Sequence, residues 1–185
     1  MRNALRRITF GVLSAGMVAA LAASMAPAAG AAVAARHDAA ATTHPATHLV
    51  WPTVRRGDTG PRVASIQYLL NARIGSHLPP TGFFGPRTEA AVKTFQRRNG
   101  LTANGIVRRT TWEKLIVTVR RGNVGQAVTA VQVQLRFSYG YIIVVDGIFG
   151  PRTDSAVKAF QRQFGLRADG IVGRSTWHKM IVHDH

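Results

Sequence analysis

One eight-residue motif occurs four times in this 185-residue chain, and its residue types could bind anions. The clear copies are TGFFGPRT at Thr81–Thr88 and DGIFGPRT at Asp146–Thr153, and the weaker copies NGIVRRTT and DGIVGRST begin at Asn104 and Asp169. Arg87 and Arg152 stand in the clear copies, and an arginine can hold a carboxylate or a phosphate through two donors. Each copy precedes a predicted helix start, where unpaired backbone amides attract negative charge.

No arrangement of residues predicts catalysis. The tail 183–185 (His-Asp-His) could join His178 around a metal ion, but a chain end supplies neither rigid geometry nor supporting partners. Glu89 and Asp154 occupy the same position in different copies, so they do not form the carboxylate pair that a glycosidase needs. The chain has no cysteine and no Gly-x-Ser-x-Gly segment. We therefore expect no enzyme activity, no cofactor and no metal.

The sequence repeats itself at a distance of 65 residues without a gap, and about half of the aligned positions are identical. VRRGDTG at Val54 aligns with VRRGNVG at Val119. A period this long indicates two tandem domains, because solenoid repeats usually run about 20 to 50 residues. We place the first domain at 52–116 and the second at 117–182. The Ala-, Thr- and His-rich stretch 32–51 lacks apolar periodicity and is typical of a flexible linker.

Each copy shows three helix signals. A proline can open a helix because the first helical amides have no partner, and Pro61, Pro86 and Pro151 each follow a glycine. Apolar residues then recur at spacings of three and four, as on one buried helix face. Thr110 and Glu113 predict a capping box for the third helix. The sequence thus predicts an all-α fold: two tandem three-helix domains with short Asp-Gly turn segments.

The motif itself predicts a turn followed by a core anchor. Asp-Gly and Asn-Gly favour tight turns, because glycine accepts a positive φ and the Asx side chain bonds nearby amides. We expect both apolar residues after the glycine to enter the core, and Gln96 and Gln161 to satisfy buried backbone groups. A domain of about 60 residues needs large anchors. The expected anchors are Phe84, Phe95 and Trp112, with Phe149, Phe160 and Trp177 in the second copy.

The first 31 residues are typical of a secretory signal peptide. A basic start is followed by an apolar run over about 8–23 and by small residues, with cleavage after Ala31 or after Ala34. A twin-arginine signal and an uncleaved membrane anchor are the alternatives. Cleavage after Ala31 removes three of 24 basic residues and none of eight acidic ones, which leaves a net charge of +13. Such a surplus attracts polyanions, and export directs the expectation to wall polymers.

The order and spacing of these motifs, from RRGDTG through GPRTxxAVKxFQ to GIVGxxTW, resemble the peptidoglycan-binding domain found beside bacterial cell-wall hydrolases. The resemblance covers both copies. It implies a three-helix module that binds peptidoglycan non-covalently at the face formed by the turns and helix starts. The binding residues it implies are Gly82, Phe84, Gly85, Arg87, Thr88, Asn104 and Gly105, and then Asp146, Gly147, Phe149, Gly150, Arg152, Thr153, Asp169, Gly170 and Thr176.

Alternatives remain open for several of these residues. Phe149 fits a core anchor as well as a sugar platform, and Asp146 could cap the turn or contact a ligand. Thr81 lacks the Asp146 carboxylate, so we expect weaker binding by the first copy if that carboxylate is a contact.

For the whole chain we expect a secreted, wall-associated, non-catalytic peptidoglycan-binding protein with no nucleic-acid partner. The alternatives are the targeting part of a wall hydrolase or carboxypeptidase, and a basic protein that binds teichoic acid or nucleic acid by charge alone.

Overall fold

The computed structural model describes residues 49–183, which form six α-helices and no β-strand. The helices are α1 (Pro61–Ile74), α2 (Pro86–Arg98), α3 (Arg109–Leu115), α4 (Gln126–Val133), α5 (Pro151–Gln163) and α6 (Arg174–Val182). A five-residue π-helical segment, Gln134–Ser138, continues α4. The predicted all-α fold with three helices per copy is therefore confirmed. The predicted signal peptide, most of the predicted linker, and Asp184 and His185 lie outside the described residues.

The predicted helix starts at Pro61, Pro86 and Pro151 are confirmed, but the predicted capping box is wrong. Helix α3 begins at Arg109 after the extended residue Arg108, and no side chain caps it. The Glu113 carboxylate instead pairs with Arg109 and with Arg174 of the second copy. Instead of a side-chain cap, the buried Gln96 holds the first turn of α3, because its amide nitrogen donates to Thr111 Oγ1 at 3.2 Å.

The expected anchors Phe84, Phe95 and Trp112 and their counterparts Phe149, Phe160 and Trp177 are all buried. Each tryptophan also uses its polar edge. The Trp112 indole N–H donates to the Pro52 carbonyl at 2.9 Å, and the Trp177 indole N–H donates to the Val117 carbonyl at 2.8 Å. Burial of a tryptophan is favourable when its N–H finds an acceptor. Here the acceptor is a backbone carbonyl in the first residues of the same copy.

A buried glutamine fixes each of the four motif turns. In the best-defined case, the Gln161 amide nitrogen donates to Asp169 Oδ1, to the Ile171 carbonyl and to Thr176 Oγ1, while its carbonyl oxygen accepts the Gly170 N–H at 2.9 Å. The other three glutamines are Gln67, Gln96 and Gln132, which bond their own turns in the same way. The structural role predicted for Gln96 and Gln161 is confirmed.

Only one of the two apolar residues after each motif glycine enters the core, which corrects the expectation that both would. The second one is fully buried, as in Phe84 and Phe149. The first one points outward: Phe83 is 51% exposed and Ile148 is 54% exposed. The reason is geometric, because the turn is extended at this point and successive side chains of an extended segment face opposite sides.

The two copies pack against each other through α1 and α4. Small and polar residues line this contact: the Gln134 amide donates to Ser65 Oγ at 3.0 Å, and both residues are fully buried. Ser65 also lies within 3.5 Å of the Ala130 carbonyl. Since Ala130 is the residue that matches Ser65 in the second copy, the two equivalent helices meet at equivalent positions. Such packing is that of a two-fold related pair.

The segment before the first copy touches both copies. Trp51, which the sequence analysis placed in the linker, is buried and stacks on Trp112 with ring centroids 5.7 Å apart. The Trp51 ring also meets the His178 ring of α6 edge-on at 5.0 Å, and His178 Nε2 lies 3.0 Å from the Val50 carbonyl. A ring nitrogen facing a carbonyl must carry a proton, so His178 Nε2 donates and Nδ1 is the unprotonated nitrogen.

We expect replacement of Gln161 by leucine to destabilise the protein by about 2–4 kcal/mol. The Gly170 N–H and the Ile171 carbonyl would lose a buried partner, and each unsatisfied buried group costs about 1–3 kcal/mol. Urea unfolding followed by tryptophan fluorescence measures the change. The exposed Gln126 provides the matched control, because Gln126→Leu should change stability by less than about 0.5 kcal/mol. Equal losses in the two variants would contradict the proposed role of the carboxamide.

We expect His178 to make the fold less stable in mild acid. Burial lowers the pKa of His178, and the nearby Lys179, His183 and Arg174 add to the effect. A base with a lowered pKa in the folded state binds protons preferentially in the unfolded chain, so stability falls as the pH drops below about 6.5. The free energy of unfolding at pH 7 and at pH 5 should therefore differ more in the wild type than in His178→Gln. An equal difference in both proteins would refute this.

Candidate functional site

The residues predicted to bind ligand divide into exposed and buried groups. The exposed ones are Arg87, Asn104, Asp146, Arg152 and Asp169. Arg87 and Arg152 make no hydrogen bond or ion pair with any described residue, so their guanidinium groups are free to bind. The structure places each of them in the first turn of a helix, Arg87 in α2 and Arg152 in α5.

The remaining predicted residues lie beneath the surface or in the turn backbone, where they support the site. Phe84 and Phe149 are 0% and 1% exposed and present no surface to a ligand. The hydroxyls of Thr88, Thr153 and Thr176 are buried and accept from the motif glutamines. The predicted glycines belong to the turns and to the helix starts. These glycines are Gly82, Gly85, Gly105, Gly147, Gly150 and Gly170.

One of these turns shows why a glycine is required. Gly105 has φ 76°, in the left-handed region that L side chains rarely adopt. A Cβ atom at this position would lie 2.7 Å from Glu89 Cγ and 2.9 Å from Lys93 Cε. The turn before α3 therefore packs directly on α2, which fixes the position of Asn104 relative to that helix.

A cleft lies at the start of the second helix in each copy. In the first copy a cavity of about 390 Å³ is lined by Leu78, Pro79, Phe83, Arg87 and the turn to Gly85. In the second copy a cavity of about 410 Å³ is lined by Ile143, Val144, Asp146, Arg152 and the turn at Gly150. Both clefts have an apolar wall and one arginine. They differ in charge, since Asp146 carries a carboxylate where Thr81 carries a hydroxyl.

A third cleft, of about 390 Å³, lies at the start of α6. Its polar groups include Asp169, Arg167, Arg174 and Ser175. Arg174 is already paired with Glu113, so Arg167 is the cation with greater freedom. The resemblance pointed to Asp169, Gly170 and Thr176 here, and the structure adds Arg167 and Arg174 to them.

The motif carboxylates serve the turns. Asp146 Oδ1 accepts the Ile148 N–H at 2.8 Å and the Gln132 amide at 2.8 Å, and Asp169 Oδ1 accepts the Ile171 N–H at 2.8 Å. The backbone hydrogen bond is the main cause that lowers the pKa of each carboxyl below its usual range. Each carboxylate uses Oδ1 for the turn and leaves Oδ2 for solvent or a ligand. Asn104 makes the same turn without a charge.

The sequence analysis missed the apolar half of the clefts. Phe83 and Ile148 were assigned to the core, and Leu78 and Pro79 were not singled out. A motif in which two apolar residues follow a turn glycine could have suggested that they alternate between core and surface, because an extended segment alternates its side chains. The loop residues Leu78 and Pro79 carry no such signal.

The charge surplus lies on the surface without compensation. Four of the 24 basic and two of the eight acidic residues fall outside 49–183, which leaves 20 basic and six acidic side chains. Each of the six carboxylates takes part in an ion pair or a turn hydrogen bond. These six are Asp58, Glu89, Glu113, Asp146, Asp154 and Asp169. An anion near the clefts therefore meets a positive field.

Within 49–183, no group of three His, Cys, Asp or Glu side chains is placed to share a metal ion. The helices in the same range are too short or too polar for a bilayer crossing.

Comparison with known families identifies both copies. The sequence model of a family described as a peptidoglycan binding domain matches residues 59–115 and 124–180. These two segments include all four motifs and five of the six helices in full, and they end at Met180 within α6.

Proteins similar to this chain include wall enzymes. The zinc D-Ala-D-Ala carboxypeptidase of Streptomyces albus G is 32% identical over 64% of this chain and 45% of its own length. An N-acetylmuramoyl-L-alanine amidase of Mycobacterium tuberculosis is 33% identical over 50% of this chain and 26% of its own length. The crystal structure of a Clostridioides difficile peptidoglycan-binding protein in complex with glutamine hydroxamate is 41% identical over 37% of this chain and 44% of that chain, with a TM-score of 0.36. The chain thus spans less than half the length of these relatives.

We expect the double variant Asp146→Asn/Asp169→Asn to resist acid better than the wild type. A carboxyl whose pKa is lowered by folding stabilises the fold fully above its unfolded value, about 3.9, and loses that contribution as the pH falls through the folded value. Asparagine keeps the Oδ1 acceptor without the titration, as Asn104 does. The difference between the urea unfolding midpoints at pH 5 and at pH 2.5 measures the stability that each protein loses in acid.

Asn104→Asp provides the converse control, since it should add acid sensitivity to the first copy. If the double asparagine variant lost as much stability in acid as the wild type, the turn carboxylates would not be the source of the acid sensitivity.

Proposed function

This chain belongs to the peptidoglycan-binding domain family, and from that premise we propose that it is a secreted, wall-associated, non-catalytic protein that binds peptidoglycan through two tandem modules. The proposal places a signal peptide at 1–31, a linker at 32–51 whose last residue, Trp51, packs on both modules, and the modules at 52–116 and 117–182. It includes no cofactor and no nucleic-acid partner. Anionic wall polymers are a second class of partner that the charge surplus favours.

The observation that carries this proposal is the pair of matching clefts at the starts of α2 and α5. Each holds one exposed arginine, Arg87 or Arg152, that bonds no residue within 49–183 and lies beside an apolar wall. Within 49–183 there are 20 basic and six acidic side chains, so many exposed arginines lack a carboxylate partner. Arg87 and Arg152 are distinguished by their equivalent places in the two matching clefts.

The chemistry of the clefts suits a peptide that ends in a carboxylate. A guanidinium holds a carboxylate with two parallel donors, and the first-turn amides of α2 and α5 add partial positive charge. The first intrahelical bond of α2 is from the Glu89 N–H to the Gly85 carbonyl, so the amides before it stay available. The stem peptides of peptidoglycan supply carboxylates next to small apolar side chains, which match the apolar walls.

The relatives provide the main alternative. Their names describe a carboxypeptidase and an amidase, which act on wall material, and this chain matches less than half of each. The chain could accordingly serve as the targeting part of a hydrolase or carboxypeptidase. The matched segments are binding modules, which both functions require, and an assay for released wall fragments distinguishes the two.

We expect the mature protein to co-sediment with purified sacculi stripped of teichoic acid, both at low and at high salt, and we expect DNA not to displace it. Arg87→Ala/Arg152→Ala should weaken binding by about tenfold, because each module loses one charge-assisted contact. Lys114→Ala is the charge control: Lys114 is exposed on α3, its side chain lines none of the described clefts, and its loss should leave binding within about twofold.

Each other outcome has a clear meaning. Loss of binding at modest salt, or displacement by DNA, would show that charge alone binds and would refute the peptidoglycan proposal. Release of soluble wall fragments from the sacculi would show turnover and would refute the non-catalytic part of the proposal.

A further inference from the structure

The two copies differ most in the loop between the first helix and the first motif. Residues 71–81 and 136–146 share only the glycine at Gly75 and Gly140, whereas the following segments 82–98 and 147–163 are identical at 12 of 17 positions. The loop is tethered in both copies by different means. In the first copy the Asn71 side chain bonds both the N–H and the carbonyl of Leu78, and in the second the Arg136 guanidinium donates to a loop carbonyl.

In the first copy this loop and α2 enclose a cavity of about 510 Å³, larger than any of the motif clefts. His77, Arg87 and Arg98 line it, and no acidic side chain does. Arg98 makes one long contact, 3.4 Å to the Ile74 carbonyl, and Arg87 bonds no other residue of the described range. The cavity thus combines two nearly free guanidinium groups with no compensating charge.

This cavity adjoins the motif cleft of the first copy. Leu78, Pro79 and Arg87 line both spaces, so Arg87 stands at their junction. Beyond it, the small side chains Ala90 and Ala91 of α2 form an apolar wall. The result is one groove with an apolar half near Phe83 and a cationic half near Arg98.

In the second copy aromatic side chains occupy the matching place. Tyr141 stands where the first copy has Ser76, and its hydroxyl donates to Gln163 Oε1 at 3.0 Å, the residue that matches Arg98. Tyr139, which matches Ile74, packs edge-on against Phe160 at 4.8 Å and bonds the Lys179 carbonyl. The second copy therefore has Gln163 in place of the Arg98 cation, and the Tyr141 ring occupies the position of the cavity.

We infer that the first copy carries an additional subsite, absent from the second, in which Arg98 binds the carboxylate of a wall stem peptide and the peptide extends along the groove toward Arg87. The body of the peptide lies on Leu78, Pro79 and the alanines of α2, whose small surfaces suit alanine methyl groups. This inference rests on the proposed function. It reverses the expectation that the first copy binds more weakly because Thr81 lacks a carboxylate.

The loop shape supports such a subsite. His77 has φ 49°, and it is the one non-glycine residue in the described range with a positive φ. A left-handed conformation costs an L residue free energy, so neighbouring contacts must hold it. Asn71 supplies them, because Asn71 Oδ1 also accepts the Ser76 hydroxyl at 2.7 Å. The wall of the cavity is therefore fixed before any ligand arrives, which lowers the entropic cost of binding.

The test uses the full mature chain and soluble, uncrosslinked muropeptides released from sacculi by a muramidase. Ser76→Tyr/Arg98→Gln gives the first copy the residues of the second and should weaken muropeptide binding by about tenfold in calorimetry. Arg97→Gln removes the same charge from the neighbouring exposed position and should leave affinity within about twofold. Arg98→Gln alone tests the cation if the tyrosine disturbs folding, which circular dichroism would detect.

Three results would separate the possibilities. Wild-type protein that binds neither sacculi nor muropeptides would refute the proposed function itself. A second result is that the wild type binds and that Ser76→Tyr/Arg98→Gln and Arg98→Gln bind equally well. This result would refute the subsite and leave the proposed function standing. If these variants reduced binding of poly(glycerol phosphate) and not of muropeptides, the cavity would be a phosphate site, and the stem-peptide inference would be wrong.

Discussion

The fold depends on one repeated interaction, the buried glutamine carboxamide that joins a helix to the turn and helix start that follow it. Gln67, Gln96, Gln132 and Gln161 are each at most 2% exposed, so water cannot replace a lost partner. Each carboxamide holds the turn glycine with its oxygen and the next helix with its nitrogen. The position of the clefts follows from this bond, because the first turn of α2 or α5 cannot move without breaking it.

The packing of the copies adds a second constraint. A join of only a few residues connects α3 to the second copy, and Ser65 of α1 lies against its own counterpart, Ala130 of α4. The buried bond from Gln134 to Ser65 and the ion pair of Arg174 with Glu113 link the copies further. Two clefts held this way cannot move independently, so if both bind, the avidity depends on whether the ligands are presented at a matching spacing.

Periodicity, prolines and the internal repeat were enough to predict the helices, the anchors and the role of Gln96. The four motifs also indicated that Gln67 and Gln132 would have the same role, since each turn needs one buried glutamine. Aligning the sequence at a shift of 65 residues compares one domain with the other. It does not show that successive helices within one domain each supply such a glutamine. The outward position of Phe83 depends on the local extended backbone. The cavity beside Arg98 depends on how a loop without periodicity packs on a helix, which no pattern in the sequence specifies.

Comparison of the copies separates what folding requires from what it permits. Arg73 and Tyr139 stand at neighbouring rather than equivalent positions of the repeat, yet both bond the terminal carbonyls of the third helix of their own copy, so each copy performs the same structural task with a different residue. Ser76 and Tyr141 each bond a residue of their own copy, Asn71 and Gln163 respectively, but the first leaves a cavity open and the second fills it. Since both copies fold, stability does not decide between these arrangements. A difference that stability does not explain, beside Arg87 and Arg98, which form no ion pair within 49–183, is where we expect the two copies to differ in what they bind.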